Sequence, residues 1–257
     1  MRLITVVVPV FNEEANVRRA YEAVSAVFAG LAGRYELELL FADNHSTDRT
    51  FAEIEALAAA DPRVRAIRYT RNFGFQRSLL TAYRHARGAA AIQLDCDLQD
   101  PPGLFPRFLE LWEAGHDVVV GVRRGRPEGW LLRRARRWCY RLLDSLSEDN
   151  LTRDAGDFRL VDRRILDQLR RIDEQTPYVR GLVSSLAARQ AEVPYDRTSR
   201  QHGESKFPVR RLIGFAINGL FGHSLAPLRF IAWAGLVVSA LAFLLALAYL
   251  AQWSFFG

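Results

Sequence analysis

Short apolar runs alternate with amphipathic segments over residues 1–121. The apolar runs predict five strands, at Leu3–Val10, Leu37–Ala42, Val64–Tyr69, Ala90–Leu94 and Asp117–Gly121. The intervening patterns predict four helices. The first begins at about Glu13 and is capped by Asn12, and the second is capped by Ser46 or Thr47 and ends at Ala60. The third is Gln76–Arg87, and the fourth is Leu104–Ala114, with Pro101 and Pro102 before its first turn. Strands that alternate with helices predict an α/β fold with a mainly parallel sheet and helices on both faces.

A different pattern begins after residue 206. Ile231–Trp253 is a run of 23 residues without a charge, and a helix of that length spans roughly 35 Å, enough for a bilayer core. Trp233 and Tyr249 lie near its ends, as aromatic residues do at membrane interfaces. A buried helix of a soluble domain is the alternative. The chain is therefore predicted to have three parts: a soluble domain 1–206, a juxtamembrane amphipathic segment 207–228 and a transmembrane helix 229–257.

The arginines predict which side of the membrane the soluble domain occupies. The apolar run Leu3–Val10 is too short for a signal peptide, and the Arg-rich domain precedes the span. We therefore expect it at the cytoplasmic face of the inner (plasma) membrane. Trp130–Ser147 interleaves arginines with large apolar residues, which is typical of a helix lying on anionic headgroups. A basic helix against an acidic partner subunit is the alternative.

Composition excludes several classes of protein. With 49% apolar and 11% aromatic residues the chain has enough material for a core, which excludes intrinsic disorder. Two isolated cysteines exclude a disulfide scaffold, and the absence of a Cys-x-x-Cys pair and of clustered histidines disfavours structural zinc. A formal charge of +6 is too small an excess to indicate a nucleic-acid partner. Neither Gly-x-Gly-x-x-Gly nor Gly-Lys-Ser/Thr follows a strand, which disfavours phosphate binding by a glycine-rich loop.

Acidic residues stand where the predicted strands end. Asp43 follows the second strand, and Asp95 and Asp97 follow the fourth. In open α/β sheets ligands bind at the carboxyl ends of the strands. Carboxylates there hold Mg²⁺ or Mn²⁺, whose other positions are filled by nucleotide phosphates. The alternative for this Asp-x-Asp pair is a solvated turn.

These residues resemble a known family. VVVPVFNEE, FADNHSTDRT and IQLDCDLQDPP are similar to motifs of the inverting family 2 glycosyltransferases with the GT-A fold. RNFGFQ, GDFRLVDR and RQHGESKFP, followed by an apolar span, resemble the polyprenyl-phosphate sugar transferases, the group of dolichol-phosphate mannose synthase and bactoprenol glucosyltransferase. The resemblance covers nearly the whole chain.

The resemblance implies a role for each motif. A nucleotide-sugar would be bound by Pro9, Phe11, Glu13, Asp43, Asp95 and Asp97, with a Mg²⁺ or Mn²⁺ ion held by Asp95, Asp97 and Gln99. Asp157 would lie near the acceptor as the catalytic residue, and Arg123, Arg200 and Lys206 would contact the acceptor phosphate. For Asp157 the alternative is a carboxylate at a helix N-terminus, in front of Arg159 and Arg163. A homo-oligomer is compatible with a flat membrane-facing surface.

The sequence also departs from the family. Asn44 and His45 stand where many members have Asp and Gly, and Phe75 stands where many have Lys. The expected reaction is transfer of a hexose from a UDP-sugar, with GDP-mannose as the alternative donor, to undecaprenyl or dolichyl phosphate. Two other functions stay open: a glycosyltransferase that extends a growing glycan or lipid-linked saccharide, and a catalytically inactive, membrane-tethered nucleotide-sugar-binding protein.

Overall fold

The computed structural model describes residues 1–124, 155–174, 177–196 and 226–256. Its strands are β1 Arg2–Val10, β2 Tyr35–Asp43, β3 Val64–Arg68, β4 Ala90–Gln93, β5 Val118–Arg123, β6 Ala155–Asp162 and β7 Gln190–Tyr195. Its helices are α1 Val17–Ala29, α2 Thr50–Ala60, α3 Phe75–His85, α4 Phe105–Glu113 after a 3₁₀ turn at Pro102–Leu104, α5 Arg163–Arg171, α6 Val179–Leu186 and α7 Ala226–Phe256. The described residues belong to two units, one holding all the strands with α1–α6 and the other holding α7.

The strands form one seven-stranded sheet in the order β3-β2-β1-β4-β6-β5-β7. Every neighbouring pair is parallel except those made by β6, which is antiparallel to β4 and to β5. The amino end of β6 therefore lies at the edge where the parallel strands have their carboxyl ends. This reversed strand brings a later part of the sequence to the edge where ligands bind in α/β sheets.

Helices cover both faces of the sheet. On one face α1, α2 and α4 pack through Val24, Ile54 and Phe108 against a core that includes Val8 and Ile92. On the other face α3, α5 and α6 close a second core. The centre of the sheet is therefore dry on both sides, as its apolar strand sequences predict. The predicted fold class is confirmed, and all five predicted strands are present within a few residues of their predicted bounds.

Both predicted helix caps are wrong. α1 begins at Val17, after Asn16, and α2 begins at Thr50, after Arg49. The side chains of Asn12 and Ser46 instead accept hydrogen bonds across the two loops, from the backbone N–H groups of Thr47 and Asn12 respectively. These polar residues cap neither helix because they join the β1–α1 loop to the β2–α2 loop.

The apolar C-terminal run is helical. Within α7, Ile231–Ser254 is long and apolar enough to cross a membrane by length and composition. The helix begins at Ala226, ahead of the predicted boundary at residue 229. The predicted basic helix 130–147, the domain boundary at 206–207 and most of the predicted segment 207–228 lie outside the described residues.

Candidate active site

Four carboxylates meet at the carboxyl edge of the sheet. Asp95, Asp97 and Asp100 belong to the turn after β4, and Asp157 is contributed by the amino end of β6. The antiparallel register pairs Gln93 of β4 with Arg159 of β6. Asp95, two residues after Gln93, is therefore level with Asp157, two residues before Arg159. The sequence separates these groups by about sixty residues, and the reversed strand brings them together.

The carboxylates act on one another electrostatically. Burial, together with the negative charges of Asp100, Asp157 and Asp97, raises the pKa of Asp95 to about 7, against a smaller lowering by a hydrogen bond from Gln93. Gln93 Nε2 lies 2.8 Å from Asp95 Oδ1. Near neutral pH the cluster therefore holds more negative charge than its surroundings compensate, which is the condition that favours binding of a cation.

The loops after β1 and β2 are interlocked beside this cluster. Ser46 Oγ accepts from Asn12 N at 3.0 Å, and Thr50 Oγ1 accepts from Glu13 N at 2.8 Å. Asp43 is completely buried, accepts from Ser46 N at 3.0 Å and lies 3.4 Å from Arg68 Nε. These contacts fix the two loops relative to each other along this edge of the sheet.

Backbone strain occurs in the loops after β1 and β2 and in the turn after β4. Asn12, His45 and Leu98 have φ values of 56°, 66° and 54°, and they are the non-glycine residues with positive φ within the described ranges. Asn tolerates this region, whereas a leucine there is an outlier. Such strain persists where the surrounding contacts determine it, and functional sites are where it clusters.

The structure explains why Asn44 differs from the aspartate of many family members. Its amide Nδ2 donates to Asn72 Oδ1 at 2.9 Å, and its Oδ1 accepts from Phe73 N at 2.9 Å. One side chain therefore supplies both a donor and an acceptor to the loop before α3. A carboxylate at position 44 would supply the acceptor alone.

Asn44→Asp is expected to lower the free energy of unfolding by about 1–2 kcal/mol, because the Asn72 oxygen keeps its bond from Gly74 N but loses the Asn44 donor and faces a carboxylate. Urea denaturation of the full chain measures this. The control is Gln168→Glu, which adds the same charge on the exposed surface of α5. An unfolding free energy equal to that of the parent would show that the amide donor is unimportant.

Arg123 is held on one side of the cluster. Its Nε donates to the hydroxyl of Tyr195 at 3.2 Å, and its Nη2 lies 3.4 Å from Asp100 Oδ2. Hydrogen bonds with Tyr195 and the charge of Asp100 raise the pKa of Arg123 against the opposing effect of its burial. A Cβ on Gly156 would lie 3.0 Å from Arg123 Nη2, so the glycine leaves room for the guanidinium.

Two further arginines flank Asp157. Arg180 of α6 places Nε 3.2 Å from Asp157 Oδ1, and its side chain is 37% exposed. Arg159 is 3% exposed, donates from Nη2 to Gly156 O at 2.8 Å and interacts electrostatically with Asp157. Burial lowers the pKa of Arg159. Asp157 therefore has a buried cation and a partly exposed cation beside it.

Comparison with known proteins identifies the family. Residues 5–170 match the Glycosyl transferase family 2 domain. The chain is 36% identical over 241 residues to an uncharacterized glycosyltransferase, YkcC, of Bacillus subtilis (strain 168), covering 93% of this chain and 74% of that protein. It is 37% identical over 242 residues to a prophage bactoprenol glucosyl transferase homolog of Escherichia coli (strain K12), covering 94% of this chain and 78% of that one. The chain belongs to glycosyl transferase family 2.

The fold of this family 2 chain is also found among solved structures. It is similar to glucosyl-3-phosphoglycerate synthase from Mycobacterium tuberculosis, solved in complex with Mn²⁺, UDP and glucosyl-3-phosphoglycerate, with a TM-score of 0.54 at 20% identity. The match covers 82% of this chain and 75% of that one. The expected GT-A fold and the resemblance to family 2 are confirmed.

The structure brings most of the sequence-predicted residues of this family 2 chain to one edge. Pro9, Phe11, Glu13 and Asp43 lie at the ends of β1 and β2, and Phe11 is 44% exposed. Glu13 acts electrostatically on the buried thiol of Cys96, as do Asp97 and Asp95, which links the first loop to the carboxylate turn. Arg200 and Lys206 lie outside the described residues. The structure places the described residues of this set near the carboxyl ends of the strands, and their roles as site residues stay predictions.

Asp157 lies within β6 and at no helix N-terminus, so the alternative of a helix carboxylate is wrong for it. Asp162 has that function instead, since its side chain accepts from Arg164 N at the start of α5. Sequence reasoning missed Asp100, Arg180 and the buried position of Arg159. The alternation of apolar Phe158 and Leu160 with polar residues around them is the signal that predicts a strand here.

Proposed function

We propose that this protein is an inverting glycosyltransferase that moves a hexose from a nucleotide-sugar, of the UDP-glucose type, to a polyprenyl phosphate. The observation that carries the proposal is the carboxylate cluster at the sheet edge, in which Asp95 has a pKa of about 7 beside Asp97, Asp100 and Asp157. A diphosphate can approach such a cluster only with a divalent cation between them. Relatives at 37% identity named bactoprenol glucosyl transferase support the choice of acceptor.

The donor set fits a divalent ion that is shared with the substrate. Within the described ranges no three acidic, histidine or cysteine side chains form a group able to hold a metal ion. Asp95 and Asp97 would therefore hold Mg²⁺ or Mn²⁺ with Gln99 beside them and with diphosphate oxygens completing the coordination, as is usual for Mg²⁺. The bound ion supplies Lewis-acid stabilisation of the leaving nucleoside diphosphate.

The remaining residues of the edge divide between the two substrates. We assign the base and ribose to exposed Phe11 and to Pro9, Glu13 and Asp43, which lie at the ends of β1 and β2. We assign the acceptor phosphate to Arg123 and, from the sequence, to Arg200 and Lys206. A phosphate monoester has a second pKa of about 6, so its oxygen is already anionic at neutral pH. Asp157 therefore orients the reacting groups and needs to remove no proton.

A membrane location follows from the acceptor and from α7. A polyprenyl chain stays in the bilayer, and Ile231–Ser254 has the length and apolar character of a span. We propose that α7 anchors the enzyme and that the catalytic domain works at the cytoplasmic face of the inner membrane. The reaction is a single in-line displacement, which converts an α-linked donor into a β-linked product.

A transfer assay tests this function. The full chain in detergent is given radiolabelled UDP-glucose or GDP-mannose, Mn²⁺ and undecaprenyl phosphate, and the label is counted after organic extraction. We expect label in the organic phase with UDP-glucose, dependent on both the metal and the lipid. Label that appears only as free sugar, or only in a longer saccharide when a glycan acceptor is supplied, would contradict the proposal.

A further inference from the structure

Arg180 occupies a position that none of the assigned roles explains. It extends from α6 to the amino end of β6, where its Nε lies 3.2 Å from Asp157 Oδ1. The guanidinium carbon of Arg180 lies over the aromatic ring of Tyr178, 5.7 Å from the ring centroid. The side chain of Asp157 is 18% exposed and that of Arg180 is 37% exposed. The ion pair therefore lies at the boundary between the interior and the site.

The pair is close but poorly aligned. Arg180 Nε and Asp157 Oδ1 are both buried atoms, and the contact between them lacks hydrogen-bond geometry although their separation is that of an ion pair. Charge-assisted hydrogen bonds with good alignment are the strong ones. An ion pair that lacks this alignment is weaker than one that has it, so a better-aligned anion can replace the carboxylate at Arg180 Nε.

Asp157 keeps a cationic neighbour without Arg180. Arg159, 3% exposed, lies in the same strand and interacts electrostatically with Asp157, as it does with Tyr83. Arg159 is fixed by its bond to Gly156 O and by the packing around it. Loss of the Arg180 contact therefore does not leave Asp157 as an uncompensated buried charge, which is the situation that makes breaking an ion pair unfavourable.

Arg123 and Arg180 reach the same short segment from two faces of the sheet. Arg123 lies against Gly156 and bonds to Tyr195, whose ring belongs to the core under α1, α2 and α4. Arg180 lies against Asp157 and comes from α6, whose Val179 and Val183 belong to the opposite core. The segment Gly156–Asp157 therefore has a guanidinium on each side, and a guanidinium is the group that binds a phosphate through two parallel hydrogen bonds.

We propose that Arg180 is an acceptor-binding residue that exchanges partners: it pairs with Asp157 in the free enzyme and with the phosphate of the polyprenyl acceptor in the complex. This inference rests on the proposed function, because it takes the acceptor to be a phosphate monoester. The exchange moves the guanidinium onto the acceptor and leaves the Asp157 carboxylate beside the reacting centre. Asp157 and the phosphate thus compete for one cation.

Acceptor binding without catalysis gives the direct test. Farnesyl phosphate, a short soluble polyprenyl phosphate, is titrated into the 257-residue chain in detergent, with farnesol as the phosphate-free control ligand. Arg180→Gln is expected to weaken farnesyl phosphate binding about tenfold, Arg180→Lys to restore part of it, and neither to change farnesol binding. The matched control is Arg107→Gln, which removes a surface ion pair with Glu110 on α4.

The Asp157→Asn variant distinguishes competition from a purely structural ion pair, which would not make farnesyl phosphate bind more tightly when Asp157 is neutralised. If Asp157 competes with the phosphate, Asp157→Asn tightens farnesyl phosphate binding several-fold, and the gain disappears in the Asp157→Asn, Arg180→Gln double variant. In the transfer assay Arg180→Gln is expected to raise the KM for undecaprenyl phosphate while leaving the KM for the donor within twofold.

The outcomes separate this inference from the proposed function. Transfer by the parent enzyme with an unchanged acceptor KM in Arg180→Gln would overturn the partner exchange alone. Equal weakening of farnesyl phosphate and farnesol binding would overturn it too, since a distorted site and not a lost phosphate contact would be the cause. Absence of transfer by the parent, and of farnesyl phosphate binding, would overturn the proposed acceptor and the inference with it.

Discussion

Asp97→Asn is expected to lower the rate of sugar transfer about 100-fold or more while the domain stays folded. Asp97 lies in the turn after β4, partly exposed, and its Oδ1 accepts from Gln99 N at 3.2 Å. An asparagine keeps that acceptor oxygen, so the turn is preserved. It removes one negative charge from the cluster that would hold a divalent ion, and the donor diphosphate loses its anchor.

Donor binding separates this explanation from misfolding. Calorimetric titration with UDP-glucose should show that Mn²⁺ strengthens binding to the parent enzyme and has little effect on Asp97→Asn. Asp167→Asn is the matched control, because Asp167 pairs with Arg163 and Arg170 on the surface of α5, away from the edge. Parent-like turnover of Asp97→Asn with Mg²⁺ or Mn²⁺ would contradict a metal-binding role for this residue.

Asp157→Asn is expected to lower kcat about 100-fold with little change in the KM for the donor. The substitution preserves shape but removes the charge that pairs with Arg180 and balances buried Arg159. In glycosyl transfer positive charge develops at the anomeric carbon. A neutral amide at position 157 provides no stabilisation of that charge.

The pH dependence of the Asp157→Asn reaction distinguishes an orienting carboxylate from a base. The acceptor phosphate is already ionised above about pH 6, so we expect the residual rate to follow pH as the parent rate does. Loss of one limb of the parent profile would instead show that Asp157 removes a proton. Circular dichroism of the variant provides the check that β6 and its neighbours remain folded.

The sequence was sufficient for the parallel half of the fold. Runs such as Leu39–Ala42 are continuously apolar because both faces of the sheet are covered, and that pattern is readable without a structure. The ends of those strands also gave Asp43, Asp95 and Asp97 as site residues. The starts of α3 and α4 were predicted to within one residue. The starts of α1 and α2 were not, because Asn12 and Ser46 use their side chains across loops and local propensity carries no information on contacts 34 residues apart.

The acceptor side of the site depends on contacts that no local pattern describes. Arg180 is one arginine among 34 in the sequence, and its significance comes from the reversed strand β6, which sets Asp157 within 3.2 Å of it. Arg159 would be expected at a solvated face, yet it is buried because β6 lies between β4 and β5 under α3 and α6. Tertiary placement, not residue type, distinguishes these two arginines from the others.

The most direct measurement is anomalous diffraction from crystals of the full chain soaked with UDP and Mn²⁺. We predict a manganese peak at bonding distance from carboxylate oxygens of Asp95 and Asp97, with diphosphate oxygens on its far side. A nucleotide bound elsewhere, or bound at this edge without any manganese peak beside the two aspartates, would contradict the central claim.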